Sequence, residues 1–473
     1  MTGGTAVVVL AAGKGVRMKS ALPKVLHSAA GRPLLDRVLD TAGALLSSAS
    51  EGRLVVVVGV GREAVEAHVT RIAPQAVVAL QEPPRGTGDA VRAAVPHLGD
   101  ASRVVVLSGD VPLLRPGTVA PLLAALDGRP DTPVAFLTAV LPDPSPYGRV
   151  LRDANGVVVA VVEERDATED EKKIREVNAG VYAFDRPFLE AALARLEPTN
   201  AQGEYYLTDV LAMAVESGRP ALGLLADDPD EMLGVNSRAE LARVDALLRA
   251  RAAEAAMAGG ATLIRPETIT LDEEAVLAPE CVVEPFVSLL GRTSVGAGTR
   301  IGQGCVIRDS VIGANVMLNP YCVMEGSVIG DGAVVGPFAR LRKGSELAEG
   351  VHIGNFVETK KAVLRKGVKA NHLTYLGDTE IGEGTNVGAG VITCNYDGFA
   401  KHKTTIGKNV FVGSDVQLVA PVTIGDGAIV GAGTTVTEDV PPDALAISRS
   451  PQTIKLGGGA AYRERKKSGK KKG

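Results

Sequence analysis

Two periodicities divide the chain. Up to about residue 230, short β-branched and aliphatic runs at 7–10, 54–58, 77–80 and 104–107 alternate with helical patterns near 33–48, 62–72 and 87–97. Apolar runs of four or five residues without polar alternation suit strands buried on both faces, and the intervening helices supply the cover. The pattern predicts a parallel sheet in an α/β, Rossmann-like nucleotide-binding domain. Ligands of such sheets sit beyond the C-terminal ends of the strands, where L-A-A-G-K-G (10–15) and L-S-G-D (107–110) fall.

Beyond residue 265 the period becomes six. Val295 and Ile301 keep that step, as do Ile329, Val335, Leu341, Leu347 and Ile353, then Ile381 and Val387, then Ile406, Val412, Leu418, Ile424, Val430 and Val436. Small or acidic residues after most of them allow a tight turn behind each inward aliphatic side chain, which predicts a left-handed parallel β-helix of hexapeptide repeats. The step breaks between Val387 and Ile406, around C-N-Y-D-G-F-A-K-H-K (394–403). A loop leaving the solenoid there can reach a neighbouring chain or close over a ligand. Between the two patterns, Ser237 with Glu240 three residues on forms a capping box, and an Ala- and Arg-rich helix follows to Gly259-Gly260. The expected organisation is a first domain over 1–236, a helical connector over 237–260 and a β-helix over 261–473.

The 473 residues are too many for one ordinary core, and 45% are apolar, so the chain is globular with more than one domain. A formal net charge of −4 gives no general reason to bind nucleic acid. The basic cluster in the last dozen residues, R-E-R-K-K-S-G-K-K-K-G, reads as a disordered, solvated end. Cys281, Cys305, Cys322 and Cys394 lack metal-ligand spacing and read as small thiols in a reducing compartment. No leader pattern and no apolar run long enough for a membrane span is present, so the expected location is the cytoplasm.

The stretch A-G-K-G-V-R-M-K-S-A-L-P-K (12–24) fits neither the dinucleotide fingerprint nor the Walker A loop. Taken with G-E-Y-Y-L-T-D (203–209), G-V-N-S-R (234–238), the hexapeptide array and N-Y-D-G (395–398), it resembles the bifunctional bacterial N-acetylglucosamine-1-phosphate uridyltransferases / glucosamine-1-phosphate N-acetyltransferases. The resemblance runs from about residue 4 to about 455. It departs from the family pattern at Val16, where a threonine is usual, and at Asp89, where a histidine commonly stands.

Uridylyl transfer brings two phosphorylated substrates together, so it needs cations, backbone donors and a metal near the α-phosphate. By resemblance Leu10, Ala11, Ala12, Gly13, Lys24, Gln81, Gly86, Thr87, Ser108 and Gly109 contact the nucleotide, with Arg17 and Lys24 supplying charge. Gly148, Glu163 and Asn178 contact the sugar, and Asp110 with Asn236 binds Mg²⁺. On residue type alone a turn cap is the lesser alternative for Asp110, since a carboxylate ending a buried strand is costly unless it is paired or holds a metal.

For acetyl transfer from acetyl-CoA the resemblance makes His372 the base, suited to take a proton from an attacking amine near neutral pH. Its place off the aliphatic step predicts an outward side chain, although by type alone it reads as a structural histidine. Arg342, Lys360, Tyr375, Asn386, Asn395 and Tyr396 would hold glucosamine 1-phosphate. Ala389, Asn395, Tyr396, Ser414, Ala432 and Arg449 would line the acetyl-CoA cleft. UTP and acetyl-CoA are the expected co-substrates, Mg²⁺ the cofactor and a homotrimer the expected assembly.

Overall fold

The run at 7–10 becomes strand β1 (Thr5–Ala11) in the computed structural model, which describes residues 4–47 and 52–469. Its side chains alternate between two cores: Val7, Val9 and Ala11 face one, Ala6 and Val8 the other. The strand is therefore covered on both sides, as an uninterrupted apolar run requires. Strands β2 (Gly52–Val58), β3 (Val77–Leu80) and β4 (Arg103–Ser108) join it in parallel, with β1 between β2 and β4. Helices α1 (Leu34–Ser47), α2 (Arg62–Ile72), α3 (Thr87–Ala94) and α4 (Pro116–Gly128) lie between or after these strands in sequence.

The sheet continues through β5 (Val134–Val140), β6 (Arg149–Arg152), β7 (Val158–Val162), β8 (Glu176–Asp185) and β9 (Ala221–Leu225). The order along its main path is β9-β5-β8-β4-β1-β2-β3. Here the sheet departs from the expected all-parallel arrangement, because β8 runs antiparallel to both β4 and β5. The antiparallel pair β6–β7 carries the chain out between β5 and β8, so β8 re-enters in the opposite sense. The register of β8 against β5 shifts between Asn178 and Tyr182, a bulge that re-aims side chains where the strand passes a cavity.

Helix α5 (Arg186–Arg195) and α6 (Asp209–Glu216) complete the cover, and α7 (Arg238–Ala258) follows. The capping box forms: Ser237 Oγ accepts from Glu240 N at 3.2 Å, while Glu240 Oε2 accepts from the N–H groups of Asn236 and Ser237 at 2.7 and 2.8 Å. Within the compact unit Met1–Arg251, Val244 and Leu248 of this helix pack with Met18, Leu34 and Leu113. The first part of α7 thus belongs to a hydrophobic core as well as linking two stretches of chain.

The second unit, Ala252–Gly473, is a parallel β-helix. Strands pair coil on coil in parallel register, Val282 with Arg300, Arg300 with Met317 and Met317 with Val334. The side chains of the six-residue step lie inside; Leu341, Ile381, Leu418, Ile424 and Val430 are fully buried. Ile381 pairs directly with Ile406 and Val387 with Val412, while Cys394 still pairs with Val419, so residues 395–403 are looped out of the stack, closed by an antiparallel bridge between Tyr396 and Lys401. Cys281, Cys305 and Cys322 are buried free thiols and Cys394 is half-buried.

One expectation is corrected at the C-terminus. Residues Gly458–Gly469 form helix α8 instead of a disordered end, and residues 470–473 lie outside the described part. Ala460, Ala461 and the long Arg, Glu and Lys side chains after them are good helix formers, which outweighed the charge density used to read the segment as disordered.

Candidate functional site

The ends of β1 and β4 lie side by side, with Leu10 in register with Ser108. A cavity of about 390 Å³ opens there, lined among others by Leu10, Ala12, Gly13, Lys24, Gln81, Gly86, Thr87, Ser108 and Asp110. Two glycines are required by this wall. A Cβ on Gly109 would lie 2.9 Å from the Leu10 carbonyl oxygen, to which Gly109 N donates. Gly86 has φ +109, and a Cβ there would meet Tyr205 O at 2.6 Å. Ala11 is buried in β1.

A second cavity of about 230 Å³ shares Leu10, Thr87, Ser108 and Asp110 with the first and adds Gly148, Glu163, Asn178 and Asn236. The β8 bulge supplies Asn178, whose Nδ2 donates to the Tyr182 hydroxyl at 2.6 Å and whose Oδ1 accepts from Gly180 N at 3.1 Å. Burial pushes the Tyr182 phenol well up from its ordinary value. Burial also raises the Glu163 carboxyl, against the opposing hydrogen bond donated by Thr208 Oγ1 at 3.1 Å.

Lys24 stands where the two cavities meet. Its ammonium is ion-paired with Asp110 Oδ2 and donates to Asn236 Oδ1 at 2.8 Å. One cation thus bridges the two side chains that the resemblance makes metal ligands. Arg17 is elsewhere: it is exposed on the short 3₁₀ turn Val16–Met18 and lines neither cavity.

Several lining residues were missed by sequence reasoning, among them Glu204 in the first cavity and Tyr147, Leu207 and Thr208 in the second. The signal for three of them was present in G-E-Y-Y-L-T-D, which carried the resemblance without being given a role. This segment docks where the chain enters α3, with Tyr205 N donating to Arg85 O and Gly88 N to Tyr205 O, both at 2.8 Å.

On the β-helix, His372 is exposed at the end of strand Lys369–His372. Its carbonyl is held by Thr374 Oγ1 at 2.7 Å and by Gly390 N at 3.3 Å, and no described residue hydrogen-bonds its ring. The latter bond belongs to a column of stacked turns. Asp415 N donates to Ala389 O at 2.7 Å, Gly433 N to Ser414 O at 2.9 Å, and Arg449 Nη1 to Ala432 O at 2.7 Å. Ala389, Ser414, Ala432 and Arg449 therefore follow His372 along one corner of the solenoid. Asn386 lies on the strand that pairs with Lys369 on one side and Phe411 on the other.

The cationic residues group nearby. Arg342 Nη1 pairs with Glu358 at 3.0 Å, and Glu358 is in register with Tyr375. The Lys401 ammonium beside Lys360 holds the Lys360 amine below its ordinary value, with Arg342 adding to the effect and Asp378 opposing it. Lys401, on the excursion, is a further residue that sequence reasoning left without a role. Asn395 is buried and donates Nδ2 to Asp378 at 2.5 Å, which anchors the start of the excursion. Tyr396 is exposed, its hydroxyl donating to Gly398 O at 2.6 Å. The Asp397 carboxyl accepts from Ala400 N and Phe399 N and pairs with His402, which holds it well below the carboxylate range.

A nucleotide-type cavity at the ends of parallel strands and a hexapeptide β-helix in the same chain define a two-part transferase. Residues 7–258 match the MobA-like NTP transferase domain, residues 265–373 the GMPPB C-terminal domain and residues 403–438 the six-repeat bacterial transferase hexapeptide. The bifunctional protein GlmU of Sorangium cellulosum is 50% identical over 470 residues, 98% of each chain. Those of Alkalilimnicola ehrlichii and Pelobacter propionicus are each 47% identical, covering 94% and 96% of this chain and 94% and 97% of their own. The chain belongs to the GlmU family of bifunctional acetyltransferases and uridyltransferases.

Proposed function

We propose that the chain makes UDP-N-acetylglucosamine in two steps at two separate sites. On the β-helix, the amine of glucosamine 1-phosphate attacks the thioester carbonyl of acetyl-CoA, a C–N bond forms, the C–S bond breaks and the CoA thiolate leaves. His372 takes the proton from the amine, Arg342, Lys360 and Lys401 hold the phosphate, and the corner from Ala389 to Arg449 receives the CoA arm. Lys401 and Arg342 together act on Lys360 more strongly than Asp378 offsets, and this excess of positive charge supports a phosphorylated substrate there.

At the sheet, a phosphate oxygen of N-acetylglucosamine 1-phosphate attacks the α-phosphorus of UTP in line, and the bond to the departing pyrophosphate breaks. The observation that carries this reading is the shared wall of the two cavities: Leu10, Thr87, Ser108 and Asp110 line both, so the two substrates can meet at Asp110. No protein nucleophile is required. Gly13 and its small neighbours allow close backbone approach, while Lys24 supplies positive charge where the phosphates meet. Arg17, outside both cavities, adds positive charge to the exposed segment between Gly13 and Lys24.

Asp110 and Asn236 offer two oxygen ligands, and no cluster of three or more His, Cys, Asp or Glu that could hold a metal occurs among the described residues. That donor set fits Mg²⁺, which commonly takes one or two protein ligands and completes its shell with phosphate and water. When bound, it supplies charge neutralisation at the α-phosphate.

Among the described residues no helix is long and apolar enough to cross a membrane. We place the enzyme in the cytoplasm as a homotrimer associating through the β-helix. The test is an omission assay with glucosamine 1-phosphate, acetyl-CoA, UTP and Mg²⁺. The nucleotide sugar is expected only when all four are present; formation of an N-acetylated product without acetyl-CoA, or none with the full set, sinks the reading.

A further inference from the structure

The departure at Asp89 acquires a role in the first cavity. Gln81 follows β3, whereas Asp110 follows β4, with β1 and β2 between them in the sheet. Strand spacing of about 4.8 Å puts the two residues roughly 14 Å apart along the strand ends. With Lys24 and Asp110 at the phosphate end, Gln81, Pro84 and Gly86 line the end left for the nucleobase.

The Gln81 side chain is buried, and its carboxamide is not free to choose an orientation. Nε2 donates to Gly86 O at 2.9 Å and to Asp89 Oδ2 at 3.0 Å. A carbonyl and a carboxylate are acceptors only, so the atom facing them must be the amino nitrogen, and both of its hydrogens are committed. The carbonyl oxygen, Oε1, is left as the polar group that Gln81 can offer a ligand. A flipped carboxamide would set an oxygen against two acceptors inside a buried site, an arrangement heavily penalised there.

We propose that Asp89 is a specificity-determining positioning residue: it fixes Gln81 so that its carbonyl oxygen faces the ring edge of the base. An acceptor at that point pairs with the N3–H of uracil or thymine and opposes the lone pair at N3 of cytosine. The proposal rests on the uridylyltransferase reading of this cavity. Asp89 itself touches no substrate; it acts through Gln81.

The test measures kcat and KM for UTP and CTP with N-acetylglucosamine 1-phosphate in the full-length protein, its Asp89→Leu and Asp89→Asn variants, and a Gln81→Ala control. The wild type is expected to favour UTP strongly. Asp89→Leu removes one of the two acceptors that orient Gln81, and its UTP-over-CTP ratio of kcat/KM is expected to fall at least tenfold, mostly through KM. Asp89→Asn can present either an acceptor or a donor to Gln81 and should lie between. Acetyl transfer by each variant, expected to be unchanged, reports an intact chain. An unaltered ratio in Asp89→Leu, or equal losses with both nucleotides, overturns the role of Asp89 while leaving the uridylyltransferase reading in place. A wild type that forms no nucleotide sugar from either substrate overturns that reading instead.

Discussion

Lys24 shows how one side chain can serve two states of a site. A carboxylate in a half-buried wall is costly without a partner, and the Lys24 ammonium supplies one to Asp110 while also occupying the Asn236 oxygen. At the proposed metal site the lone pairs that hold the ammonium cannot also hold a divalent cation, so Lys24 would compete with metal until a triphosphate offered its charge another place. Lys24→Met is therefore expected to bind Mn²⁺ about tenfold more tightly than wild type in the absence of nucleotide, read by isothermal titration or paramagnetic resonance. Weaker or equal binding in a folded variant would refute the competition. In the assay, Lys24→Ala should slow uridylyl transfer by about 10²-fold and spare acetyl transfer, and His372→Ala should do the reverse by about 10²–10⁴-fold. Glu163 adds a pH signature. Burial raises its folded-state pKa, so its contribution to stability is full below the ordinary carboxylate range and is lost as pH rises through the raised value. Glu163→Gln is accordingly expected to unfold at higher urea than wild type at pH 8, by of order 1 kcal/mol, and to lose that advantage at pH 4; an advantage independent of pH would count against the burial account.

The strands of the β-helix are individually too short to be stable, and each gains its stability from the coils above and below. Leu418, fully buried, pairs with Thr393 on one side and Val436 on the other. Truncation to alanine leaves a cavity between coils that the rigid stack cannot collapse, with an expected loss of about 2–5 kcal/mol by denaturant unfolding. Acetyl transfer should fall with it at lower temperature than uridylyl transfer. These interior positions were legible in the sequence because a period of six admits one inward aliphatic per side, from Val295 to Val436, whatever the rest of the fold does. The same holds for β1, β2 and β4, whose unbroken apolar runs are covered on both faces, whereas β3, at the sheet edge, reads alike in sequence but leaves Val77 and Val78 half-buried and Leu80 exposed. The reversal of β8 was not legible, since its residues read alike in either direction and only its neighbours decide the sense of pairing. Nor could spacing reveal that Glu204 and Thr208 wall the cavities, that Lys401 returns to Lys360, or that Gln81 is pinned by Asp89. Each depends on segments brought together by the fold. Cap chemistry fared better: Ser237 and Glu240 are three residues apart, and so local that the sequence contains the whole motif.

At the scale of the whole chain, the connector expected over 237–260 has a more demanding role than linkage. Its first part buries Val244 and Leu248 in the core with Met18, Leu34 and Leu113, and Arg251 reaches Leu113 O and Asp228. Glu240 accepts from the N–H of Asn236, so the helix start also fixes the backbone of a residue in the second cavity. A fragment ending at residue 236 would lose two apolar side chains worth roughly 1.5–3 kcal/mol each and leave Asn236 on a free chain end. A fragment ending at residue 258 keeps the whole helix. Ala253, by contrast, packs in the core of the β-helix. Separate expression of residues 1–258 is expected to give a cooperatively folded uridylyltransferase active on N-acetylglucosamine 1-phosphate, whereas residues 1–236 should melt many degrees lower and show much weaker activity. Equal melting temperatures for the two fragments would mean that α7 is a connector alone. If 1–258 is folded but inactive while the full chain is active, the uridylyl site needs more than the first unit and its helix, and the division of labour argued from the two cores fails.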